Sequence, residues 1–107
     1  MSRLQQLLGL FKDNPKDSFL LFALAKEYES TENIDKAFEK YRTLVEQDEN
    51  YVGTYYHLAK LYEHTDETEK ALETYKKGMN IAQNLGDQHA FSELSSAKMN
   101  LEMEDLI

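Results

Sequence analysis

The stretch Leu24-Ala25-Lys26-Glu27-Tyr28-Glu29 returns as Leu58-Ala59-Lys60-Leu61-Tyr62-Glu63, and the return decides the fold. Sliding the chain over itself by about 34 residues extends the match outward. Thr31 falls on Thr65, Lys36 on Lys70, Ala37 on Ala71, Glu39 on Glu73 and Tyr41 on Tyr75. Coincidence at so many positions marks a repeated structural unit.

Each unit holds two apolar patterns of helical period. The first reads Leu21, Leu24, Ala25, Tyr28 and then Ile34, Ala37, Phe38, Tyr41; the second reads Tyr55, Leu58, Ala59, Tyr62 and then Ala71, Leu72, Tyr75, Met79. Each unit is therefore expected to be a helical hairpin. Ala25, Ala37, Ala59 and Ala71 stand where the stripes meet, as closely crossing helices require. Ahead of the first unit, Leu4, Leu7, Leu8 and Phe11 make one more apolar stripe. It stops at Asn14-Pro15, because the residue before proline is pushed out of helical geometry. Beyond the second unit, Gly86-Asp87 reads as a helix stop followed by a new N-cap. Ala90, Phe91, Leu94, Ala97 and Leu101 then form a closing helix, for six helices in all.

The pattern resembles the tetratricopeptide repeat (TPR) family, whose consensus runs from a large residue to Leu-Gly, then Tyr, then Ala and an aromatic four residues on. Both copies put Ala25 or Ala59 where the family has Gly, and Glu49 and Gln83 occupy the family's closing proline slot. The resemblance implies an all-α, right-handed superhelical TPR solenoid filling one domain, residues 1–107. Its parts are an N-terminal half repeat at 1–17, repeats at 18–51 and 52–85, and a capping helix at 86–107. Small stand-alone bacterial TPR proteins are similar over nearly the whole length. Gly78 weakens its helix by about 1 kcal/mol relative to alanine, and close approach of a neighbouring helix is its expected reason. Glu32 to Lys36, Asp66 to Lys70 and Glu73 to Lys77 read as solvated pairs four residues apart, about 0.3 kcal/mol each.

Composition narrows the function. The net charge is −8, with twenty acidic against twelve basic residues. That balance opposes nucleic acid and anionic membranes, both of which select clustered Lys and Arg. No export signal or spanning segment is visible. The absence of cysteine removes disulfides and thiolate chemistry and fits a cytoplasmic location. No phosphate loop, serine elbow or ligand-spaced His/Asp array appears, so an enzyme is not expected and no cofactor is implied. His57 and His64 lie seven apart, about 10 Å along a helix. They therefore lack the spacing of four that helical zinc sites use, even with His89 added, and no metal site is expected. The carboxylates of Glu102, Glu104 and Asp105 lack a calcium loop and read as a solvated tail.

Once the core is assigned, a second stripe remains on the first helix of each hairpin: Phe19, Phe22 and Lys26, then Tyr56, His57, Lys60, Glu63 and His64. In TPR proteins this stripe faces the concave groove, which implies a scaffold or adaptor binding another protein or a peptide. Phe22 and Tyr56 would be aromatic anchors, and Lys26 and Lys60 would meet a carboxylate-bearing segment. The alternative is a self-assembling homodimer covering the same stripe. The clamp with which TPR co-chaperones hold a chaperone's C-terminal carboxylate does not carry over, since its slots hold Phe22, Lys26, His57, Asp87 and Phe91.

Overall fold

The computed structural model describes residues 1–107. All regular structure is α-helical: α1 (Arg3–Asp13), α2 (Ser18–Ser30), α3 (Ile34–Gln47), α4 (Gly53–His64), α5 (Thr68–Leu85) and α6 (Gln88–Asp105). The helices form antiparallel pairs in two compact units, Met1–Tyr51 and Val52–Ile107. No helix is long and apolar enough to cross a membrane.

In the first unit α1 packs on α2, and α2 on α3. Ser2 caps α1 with a reciprocal box, its hydroxyl accepting from the Gln5 N–H while the Gln5 side chain accepts from the Ser2 N–H. The helix ends at Asn14, next to Pro15. Asp17 caps α2 through the Leu20 N–H, and Asn33 caps α3 through Lys36 N–H. Leu21, Leu24, Ala25, Ala37, Tyr41 and Leu44 are wholly buried between the helices. All but Leu44 are positions that the helical period placed inside, whereas Ile34 of the same pattern, at the start of α3, is only half-buried.

In the second unit α4 packs on α5, and α6 covers both. Tyr55, Ala59, Ala71, Tyr75 and Ala82 are buried, and α6 contributes Leu94, Ala97 and Leu101. Gly78 lies where α5 touches its neighbours. A Cβ built there would stand 2.5 Å from the Tyr55 Cβ and 3.0 Å from Leu94 Cδ1, so close approach does exclude a side chain. α5 ends at Gly86, which takes φ 72°, and Asp87 caps α6 through the Ala90 N–H.

The hairpin turns differ from the reading of the sequence. Glu32 and Asp66 are not helical partners of Lys36 and Lys70; both have positive φ, 62° and 61°. Each sits one residue past a helix C-cap, Thr31 or Thr65, in a Schellman arrangement. The Glu32 N–H bonds the Glu29 carbonyl and the Asn33 N–H the Tyr28 carbonyl; the Asp66 and Glu67 N–H groups repeat this on Glu63 and Tyr62. Lys70 pairs instead with Glu67, at 3.1 Å. A carboxylate side chain in the left-handed region costs about 1–2 kcal/mol, part of which glycine forfeits again through its freer unfolded chain. Glu32→Gly and Asp66→Gly should therefore each raise unfolding stability by about 0.5–1 kcal/mol. Thr31→Gly, at φ −96°, should lower it. Urea titration of the three variants checks the sign at each position.

Candidate functional site

The candidate face is built twice, once on the first helix of each hairpin. On α2, Phe22 is half-buried. Its ring lies 6.2 Å from Tyr41, edge to face, and 5.8 Å from Tyr51. Part of Phe22 therefore belongs to the hairpin core. Phe19 is more open, at 65% exposure, and Lys26 is exposed one turn beyond Phe22.

On α4 the same geometry recurs. Tyr56 is half-buried, with its ring 6.5 Å from Tyr75 in an edge-to-face arrangement. The two aromatic pairs have interplanar angles of 65° and 64°. His57 is half-buried and stands 5.5 Å from Tyr56, ring to ring. Lys60 Nζ lies 5.6 Å over the Tyr56 ring and 3.7 Å from Glu63 Oε2. Its side chain keeps 45% exposure, so this surface pair commits it only weakly.

Beneath each face is a tyrosine–glutamate bond. The Tyr41 hydroxyl donates to Glu29, and the Tyr75 hydroxyl donates to Glu63. Both phenols are wholly buried. Burial first, and then the bonded carboxylate, push each well above the ordinary tyrosine value of 10.0. Each bond ties the second helix of a hairpin to the seventh residue after the half-buried aromatic, fixing Glu29 and Glu63 in place. Reading the sequence singled out Glu63 as a binding residue and missed its bond to Tyr75. The signal available was the joint recurrence of glutamate and tyrosine one period apart.

The histidines do not converge. His57 meets Tyr56 edge to face, while His64 is exposed at the last position of α4. His89 is exposed at the start of α6, 4.0 Å from Glu93. No group of three His, Cys, Asp or Glu side chains could hold a metal ion. The acidic C-terminal residues remain helical through Asp105, further than a frayed tail would.

Helical hairpins with a repeated core and a repeated exposed face, a leading helix and a closing helix define a helical-repeat protein of the solenoid class. The family model for the tetratricopeptide repeat matches residues 52–87. A tetratricopeptide repeat domain protein from Salinibacter ruber, known from its solution structure, is 45% identical with a TM-score of 0.80, over 82% of this chain and 89% of that one. The chain belongs to the tetratricopeptide repeat family. A protein from Bordetella parapertussis is similar at 25% identity and TM-score 0.85, over 98% of this chain and 91% of that one. The TPR2B domain of yeast Sti1, in complex with pHsp70, shares the fold at 17% identity and TM-score 0.85, over 94% and 81% of the two chains. Comparison with curated proteins finds no match. The family's tetratricopeptide repeats are non-catalytic scaffolds.

Proposed function

We propose that the chain is a cytoplasmic scaffold that binds a segment of another protein through the first-helix faces of its hairpins. The observation that carries this reading is the duplication on α2 and α4. A half-buried aromatic at Phe22 or Tyr56 is followed one turn later by an exposed lysine, Lys26 or Lys60, and the glutamate beyond is pinned by a buried tyrosine. Aromatic side chains held against a core lose little entropy on binding and make efficient anchors. Rim charges select partners without adding much affinity, and two lysines favour a segment bearing carboxylates. The complex of the yeast Sti1 domain with pHsp70 supports this use of the fold.

Peptide display tests the reading. Wild-type protein should enrich peptides that share an acidic signature. Lys26→Glu combined with Lys60→Glu should weaken their binding by roughly tenfold or more, because both lysines are exposed and the reversal sets two negative charges against the acidic segment. Recovery of no peptide family, or equal recovery by the charge-reversed variant, would remove the face from the account.

A further inference from the structure

The two first-helix faces share a lysine and a pinned glutamate, but the three stripe positions ahead of the lysine differ, all in one direction. At steps of helical period α2 carries Phe19, Phe22 and Ala23, and one repeat later α4 carries Gly53, Tyr56 and His57. Each change replaces hydrocarbon with a hydrogen-bonding group or with no side chain at all. Phe19 is 65% exposed, one turn before the half-buried Phe22. Its counterpart Gly53 is exposed, and a Cβ built there would meet nothing within 4 Å. Tyr56 adds a hydroxyl to the ring that Phe22 carries. His57 sets a half-buried imidazole 5.5 Å from the Tyr56 ring, where α2 has the buried methyl group of Ala23. Lys60 Nζ lies beside them, 5.6 Å over the Tyr56 ring.

For a ligand the consequences are opposite. A carboxylate accepts several hydrogen bonds, strongest from charged donors, and α4 groups an ammonium, a phenol and an imidazole along one stripe. On α2 a carboxylate would lose water against Phe19 and Phe22, with Lys26 the only donor side chain among the four positions. An apolar ligand side chain behaves the other way. It covers ring surface on α2, whereas on α4 it would cut a phenol and an imidazole off from water without replacing their hydrogen bonds. We infer that the two hairpins divide recognition of the bound segment: the α2 face takes an apolar side chain and the α4 face takes a carboxylate. This division rests on the reading of both faces as the binding surface and names what each one selects.

A random linear-peptide library selected against the full chain supplies the probe, which is the best-enriched peptide made synthetically. The enriched family should share an apolar position and an acidic one. Phe19→Ser should weaken the probe by about tenfold, and the loss should vanish when the probe's apolar residue is alanine. Tyr56→Phe with His57→Ala gives α4 the side chains of α2 at those positions. It should weaken the probe by about tenfold, and that loss should vanish when the probe's acidic residue is replaced by its amide. Helical circular dichroism should be unchanged, since none of the three side chains is fully buried. Gly53→Phe restores the ring that α4 lacks, at a site open enough to hold it, and a fresh selection should then gain a second apolar preference. If no peptide family is enriched, the binding face falls and the division falls with it. If a family is enriched but both sets of substitutions couple equally to both peptide positions, or Gly53→Phe selects as wild type does, the face stands and the division is overturned.

Discussion

Gly78→Leu is expected to destabilise the protein by about 3 kcal/mol or more, and Gly78→Ala by about 1–2 kcal/mol, although alanine is the better helix former. Helix propensity alone predicts a gain of about 1 kcal/mol for the alanine. Packing reverses the sign. A Cβ at position 78 would stand 2.5 Å from the Tyr55 Cβ, when non-bonded carbons prefer about 3.5–4.0 Å. The second obstacle, Leu94 Cδ1 at 3.0 Å, can rotate away. The Tyr55 Cβ cannot, because it is fixed to the α4 backbone, so α4 and α5 must separate and loosen the contacts of the buried Tyr55 and Tyr75. Gly9 is the internal control. It lies exposed within α1 with nothing within 4 Å of its Cβ position, so Gly9→Ala should stabilise by about 1 kcal/mol. Guanidinium unfolding of the two alanine variants should shift the midpoint in opposite directions. A midpoint for Gly78→Ala equal to or above wild type would mean that the α4–α5 contact yields without cost.

Why Gly78 could be anticipated and Glu32 could not is a matter of what a sequence encodes locally. A glycine inside a strong helical pattern contradicts its surroundings, and close packing is the usual remedy. Glu32 and Asp66 contradict nothing, since acidic residues four before a lysine look like ordinary helix pairs. Only the backbone hydrogen bonds to Tyr28 and Tyr62 reveal them as left-handed turn residues. Gly86 performs the same turn and was legible because glycine is the residue that turn prefers. The α4 start gave no signal of its own: Val52 precedes it without a side-chain cap, and its position followed from the repeat period. The candidate face was legible as a stripe on α2 and α4. Its depth was not, because the packing of Phe22 on Tyr41 and Tyr51 depends on how two helices face each other.

Above pH 10 the protein is expected to lose stability steeply, and Tyr41 and Tyr75 are the expected cause. Both phenols are wholly buried and donate to carboxylates, which keeps them protonated beyond the ordinary value of 10.0. In the unfolded chain the same phenols ionise near that value. Below it, both states hold the proton and the stabilising bonds to Glu29 and Glu63 count in full. Above it, the unfolded state binds fewer protons than the folded one, so unfolding is favoured by about 1.4 kcal/mol per pH unit for each tyrosine. Two such groups give a slope near 3 kcal/mol per unit, enough to unfold a small domain within about two to three units. Lysines and other tyrosines also titrate here, so the informative quantity is a difference between proteins. Tyr41→Phe with Tyr75→Phe removes both protons. At pH 7 it should be less stable by about 1.5–3 kcal/mol per site, the contribution of a hydrogen bond to a charged acceptor. Its stability should then fall more gently with rising pH, so that the curves approach and cross. Urea unfolding of both proteins at several pH values from 7 upward measures the two slopes. Parallel curves would mean that the phenols ionise as readily in the folded protein as in the unfolded one, and that the paired glutamates do not hold their protons.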